Sequence, residues 1–278
     1  MAHDITITDH DIPLAVRDHG GPGEPVLLLH GLGGTLEAWD QLELAGHRAV
    51  APDLRGHGLS GDGPWEWESA LDDLEAVVKH LGLGNPAVAG QSLGGMLAVS
   101  WARRHPECPA IVNLDGLRSA ENTPDHYPGM DPAARDRELA SLKATFDEQA
   151  AGMGRPLPAE LRPMFPARAL VERDGQVYAR PGAELLEAVR YTTEFRDTIP
   201  LLREVTCDAL VVIPTRDPQS TPGGELMEAF RRGVRRDLAS LPPHIQVREM
   251  DAGHDMLAEQ PKAVAALITD FLAARRAG

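Results

Sequence analysis

The residues with the clearest chemical potential are Gly90-Gln91-Ser92-Leu93-Gly94-Gly95. A serine with glycines two positions before and two after it fits a sharp strand-to-helix turn. Larger neighbours would clash there, and the turn presents the hydroxyl with strained backbone angles. The stretch follows the apolar run Ala87-Val88-Ala89 and opens a helical pattern from Leu93 to Arg104, which stops before Pro106. A serine so placed is a candidate nucleophile, but an isolated hydroxyl is a poor one and needs a general base. Ala252-Gly253-His254 offers one, lying after the last strand pattern and before the last helix pattern. That puts His254 in a loop at the same sheet edge as Ser92.

An imidazole base is held and charge-balanced by an acid, expected in the chain order Ser, Asp or Glu, His. Asp217 follows the apolar run Ala209-Leu210-Val211-Val212-Ile213 and is the first choice. Asp115, directly after Ala110–Leu114, has a similar claim and stays open as the alternative. His30-Gly31-Leu32-Gly33-Gly34 ends another apolar run, and its backbone N–H groups could face a developing oxyanion. The expected donors are the amides of Leu32 and Leu93. Gly31, Gly33, Trp39 and Gln91 are expected at the pocket, and His30 is expected to anchor its loop. The polar loop Asp53–Ser60 lacks the lysine of a phosphate-binding loop and is expected to be structural.

The elements that must position these residues alternate in type. Short runs at 25–30, 48–52, 87–90, 110–114 and 209–213 are apolar on both faces, as parallel strands between helical layers should be. Glu66–Leu81, Leu93–Arg104, Pro222–Leu241 and Pro261–Ala274 carry helical patterns. Asp4–Thr8 and Ile12–Asp18 suggest an N-terminal hairpin. The expected fold class is therefore α/β: a mostly parallel, eight-stranded central sheet with helices on both faces. The region from about Leu117 to Leu202 breaks this rhythm. It suggests a helix from Asp131-Pro132, a loop over 155–166, a hairpin around Asp174-Gly175 and a helix over Ala183–Phe195. It reads as a mainly helical lid (117–200) inserted into a core formed by residues 1–116 and 201–278.

Bulk properties narrow the function classes. Acids outnumber bases 42 to 27, for a net charge of −15. Such a surface disfavours nucleic acid and anionic lipid as partners. Two cysteines and no zinc-type spacing imply neither a disulfide framework nor a metal. No stretch reads as a signal peptide or membrane span, so a soluble, cytoplasmic protein is expected.

Taken together, the motifs at 30–34, 53–60, 90–95 and 252–254, with the strand-loop acid, resemble the α/β-hydrolase fold family, in particular its lidded serine hydrolases. The resemblance covers the core from about Asp4 to Gly116 and Leu201 to Leu272, not the lid. Gln91 stands where many members have histidine, and Pro214 where many have glycine. The resemblance implies cleavage of a carboxylic ester or related acyl compound through an acyl-enzyme, with no cofactor. The substrate is expected to be a small molecule, uncharged or weakly charged. Alternatives are hydrolysis of a lactone or C–C bond, or rearrangement, in a specialised metabolite, or a non-catalytic binding module that retains the triad. A homodimer is left open.

Overall fold

The apolar runs become strands because their side chains can be buried on both faces of a sheet. The computed structural model describes residues 2–216 and 224–274. In chain order the strands are β1 (His3–Ile7), β2 (Leu14–Gly20), β3 (Pro25–Leu29), β4 (Arg48–Pro52), β5 (Ala87–Gln91), β6 (Ala110–Leu114), β7 (Leu170–Arg173), β8 (Gln176–Ala179), β9 (Asp208–Pro214) and β10 (Ile245–Met250). Eight of them form one sheet in the order β1-β2-β4-β3-β5-β6-β9-β10, and β7 with β8 forms a separate hairpin. β1 with β2 and β2 with β4 pair antiparallel, whereas every pair from β4 to β10 is parallel. The expected eight-stranded, mostly parallel sheet is thus present.

The larger helices are α1 (Trp67–His80), α2 (Leu93–Arg104), α3 (Pro132–Met153), α4 (Ala183–Arg190), α7 (Gly224–Leu238) and α9 (Pro261–Ala274). Three single turns complete the set: α5 (Thr193–Arg196), α6 (Ile199–Leu202) and α8 (Met256–Glu259). Side-chain alternation along the strands splits the interior in two. Leu27, Leu29, Val88 and Ile111 pack with Leu71 and Leu74 of α1 and Leu97 of α2. Val26, Leu28, Ala89 and Val112 face the other way and pack with Val264 and Ile268 of α9. Helices therefore cover both faces.

The segment between β6 and β9 holds α3 to α6 and the β7–β8 hairpin. Asp131 caps α3 by accepting a hydrogen bond from the Ala134 N–H at 2.9 Å, with Pro132 in the first turn. The expected helix over 183–195 is two helices. Its break falls at Thr192, whose hydroxyl bonds the Val189 carbonyl and starts α5 by accepting from the Phe195 N–H. The expected loop at 155–166 contains a single 3₁₀ stretch, Ala159–Met164. The start of the helix expected from Pro222 lies outside the described residues.

Candidate active site

The turn from β5 to α2 is closed by steric necessity. Ser92 has φ 53° and ψ −118°, a left-handed conformation that a non-glycine residue adopts only when its surroundings enforce it. The surroundings here are backbone. A Cβ on Gly90 would lie 2.0 Å from the Gly94 carbonyl oxygen, and one on Gly94 would lie 2.1 Å from that of Leu29. A Cβ on Gly116 would meet the Ser92 carbonyl oxygen at 2.2 Å. The Ser92 N–H donates to the Leu114 carbonyl at 2.9 Å, and its own carbonyl receives the Met96 N–H at 3.1 Å to begin α2.

Asp115 leaves the neighbouring strand β6 at the same edge. Its φ is 52°, and its N–H donates to the Val212 carbonyl of β9 at 2.9 Å. Asn113, wholly buried, braces this turn: Oδ1 accepts from the Gly116 N–H at 2.7 Å, and Nδ2 donates to the Gly116 and Gly95 carbonyls. Asn113 is not among the residues the sequence marks as functional. Its only signal there is a polar residue inside an otherwise apolar strand.

His254 comes from the loop between β10 and α8, crosses above β9, and pairs through Nδ1 with Asp115 Oδ2 at 2.6 Å. Asp217, the first choice for this acid, lies outside the described residues. Burial lowers the imidazole's proton affinity, but the Asp115 hydrogen bond and charge outweigh it, so the pKa lies above its ordinary 6.5. Gln91 Nε2 donates to the His254 carbonyl at 3.1 Å and ties the serine turn to the histidine loop.

Ser92, Asp115, His254 and Leu32 border one cavity of about 460 Å³. Its other walls are mainly apolar, with Phe146 and Phe195 from the 117–200 segment and Met227 and Phe230 from α7. The loop after β3 lies against the serine turn, because a Cβ on Gly31 would sit 3.2 Å from that of Ser92. Leu93 is the first residue of α2, so its N–H belongs to the turn that has no intrahelical acceptor. Gly31, Gly33 and Gln91 are not among the cavity-lining residues. Trp39, expected at the pocket, is instead wholly buried in the second core with Leu28 and Leu36, since the 3₁₀ turn Leu36–Trp39 rolls its apolar side inward.

His30 and the 53–60 loop form a buried polar scaffold beside this site. The Leu54 N–H donates to His30 Nε2 at 3.0 Å, while Nδ1 faces the Gly31 carbonyl at 2.8 Å. Burial holds His30 below its ordinary pKa, and burial pushes His57 down to about 3. Asp53 accepts from the Leu36 and Leu59 N–H groups and from Arg168 Nε of the inserted segment, the last at 2.7 Å. Among the described residues no group of acids, histidines and cysteines is arranged to hold a metal, and no helix is long and apolar enough to cross a membrane.

A family model described as the alpha/beta hydrolase family matches residues 26–267. The AB hydrolase superfamily protein YisY of Bacillus subtilis is 33% identical over 165 residues, covering 56% of this chain and 60% of that protein. Esterase Rv0045c of Mycobacterium tuberculosis is 31% identical over 138 residues, 46% of each chain. The chain thus spans between about half and three-fifths of the length of these curated relatives. The crystal structure of the hypothetical protein PA1622 from Pseudomonas aeruginosa PAO1 superposes with a TM-score of 0.69 at 22% identity, over 97% of this chain and 99% of that one. At that identity the likeness concerns the fold alone.

Proposed function

Because this chain belongs to the alpha/beta hydrolase family, we propose that it is a serine hydrolase that cleaves a carboxylic ester or a close acyl relative. The observation that carries this reading is the 2.6 Å pairing of His254 with Asp115 in the cavity that also holds the strained Ser92. The esterase among its partial relatives supports the same class of bond.

In the proposed mechanism, neutral His254 takes the proton from Ser92 Oγ through Nε2 as the oxygen attacks the acyl carbonyl. Asp115 fixes the tautomer by accepting the Nδ1–H and stabilises the imidazolium that forms. The amides of Leu32 and Leu93 receive the negative oxygen of the tetrahedral intermediate. Its collapse breaks the C–O bond, and the alcohol leaves with the proton from His254. Water, deprotonated by the same imidazole, then attacks the acyl-enzyme and frees the acid and Ser92. The 117–200 segment acts as the lid of the substrate cavity and gives it part of its apolar wall, which suits a small acyl group.

Two readouts test this. Wild-type protein should hydrolyse p-nitrophenyl butyrate, and a fluorophosphonate probe should add to Ser92, located by peptide mass spectrometry. Ser92→Ala should lose both. Undiminished hydrolysis by a folded Ser92→Ala protein, or a probe adduct elsewhere, would refute the assignment.

A further inference from the structure

His254 sits on a stretch of chain that no ladder of backbone bonds holds. Residues 251–255, between β10 and α8, belong to no helix or strand. Individual contacts set their position instead. The Gly253 N–H donates to the Glu259 carboxylate at 3.1 and 3.2 Å, and the Arg216 backbone N–H donates to the Ala252 carbonyl at 3.1 Å. Asp115 holds the His254 ring at Nδ1. A ring held at one nitrogen can still swing about that bond and carry its other nitrogen toward or away from Ser92. An anchor on the histidine's own peptide removes that freedom.

Gln91 supplies such an anchor. It is the last residue of β5 and directly precedes Ser92. By strand alternation its side chain leaves the sheet on the face of Ala87 and Ala89, which share the second core with Met256 and Leu257 of α8. The histidine loop runs into α8 on that same face. Gln91 is buried, and its Nε2 donates to the His254 carbonyl at 3.1 Å. The other end of the amide is boxed in, because a Cβ on Gly31 would come within 2.7 Å of Oε1. A buried amide is costly unless it is hydrogen-bonded, and this one spends its donor on the peptide of the base. A single side chain, covalently next to Ser92, thus touches both the loop after β3 and the loop of His254.

We propose that Gln91 is a positioning residue: by donating to the His254 carbonyl it keeps the imidazole Nε2 in reach of Ser92 Oγ. This deepens the serine-hydrolase reading and rests on it. Gln91 does not border the cavity, so it acts through His254 and not on the substrate. The same imidazole serves acylation and deacylation, so both steps should slow together when the anchor is lost. The loss therefore falls on kcat and not on KM.

The test is Gln91→Met, which keeps the length of the side chain and removes its donor. On p-nitrophenyl butyrate its kcat should fall roughly 10- to 100-fold, with KM within about twofold of wild type. Gln91→His, which offers a ring N–H at similar reach, should recover much of that loss. In His254→Ala no base remains to be positioned, so adding Gln91→Met should leave the residual rate unchanged. A merely structural glutamine would cost the same factor in both backgrounds. Should Gln91→Met fail to fold, Gln91→Asn, polar but too short to reach the carbonyl, makes the same comparison. Wild-type kcat in a folded Gln91→Met protein, or an equal loss in the His254→Ala background, overturns the proposal and leaves the hydrolase reading intact. Wild-type protein that hydrolyses no ester and takes no fluorophosphonate on Ser92 overturns the hydrolase reading, and the positioning role with it.

Discussion

The serine turn and the inserted segment are held by different physics. At the turn, Gly90, Gly94 and Gly116 let backbones pass so closely that an added methyl would fall about 2 Å from a carbonyl oxygen. The 117–200 segment packs Leu185, Val189 and Ile199 into the first core and also reaches residues outside itself through long charged side chains. Arg168 bonds Asp53, and Arg180 bonds Asp62 and the Gly58 carbonyl. Its longest helix, α3, buries only Ala150. Steric closure holds the serine turn in one conformation, whereas ion pairs help tie the 117–200 segment to the 53–62 loop.

Methyl groups should separate the two regions most sharply. Gly94→Ala should abolish soluble folded protein, because the nearest atoms are strand backbone. Gly182→Ala, before α4, has nothing within 4 Å and should leave Tm nearly unchanged. Expression yield and circular dichroism check both, and a well-folded Gly94→Ala protein would break the contrast.

Charge removal should sharpen it next. Arg168→Met leaves Asp53, 1% exposed, as a buried carboxylate without its cation, and should cost about 3–5 kcal/mol in chemical denaturation. Lys143→Ala, which removes the exposed partner of Asp147, should produce no measurable change. Equal effects would mean that burial does not rank these contacts.

A smaller effect should follow pH. His254 has a folded pKa above 6.5, so its protonated form is favoured by folding. The resulting stability is fully present below the unfolded pKa and fades as pH rises through the folded one. Asp115→Asn should therefore lower Tm more at about pH 5.5 than at about pH 9. In wild-type turnover, the base must be neutral, so kcat/KM should rise with pH through a midpoint above 6.5.

The same contrast explains what could be read in advance. The parallel centre of the sheet was legible because β3, β4, β5, β6 and β9 are largely apolar runs, and the serine turn because close backbone approach demands glycine at fixed spacing. The identity of the acid was not: Asp115 and Asp217 both follow apolar strands, and a one-dimensional pattern does not say which carboxylate a histidine loop will reach. Nor did Gln91 betray its bond to the His254 carbonyl, a contact across 163 positions. Trp39 was misplaced because an aromatic following a glycine loop looks the same whether it lines a pocket or fills a core. The inserted segment was read only as elements, since arginine–carboxylate partners carry no spacing rule.

The most direct measurement is the kcat of Asp115→Asn beside Asp217→Asn on p-nitrophenyl butyrate. If Asp115 orients and balances His254, Asp115→Asn should fall on the order of 10⁴-fold in kcat, while Asp217→Asn retains most activity. A collapse of Asp217→Asn with Asp115→Asn still active would contradict the assignment of Asp115.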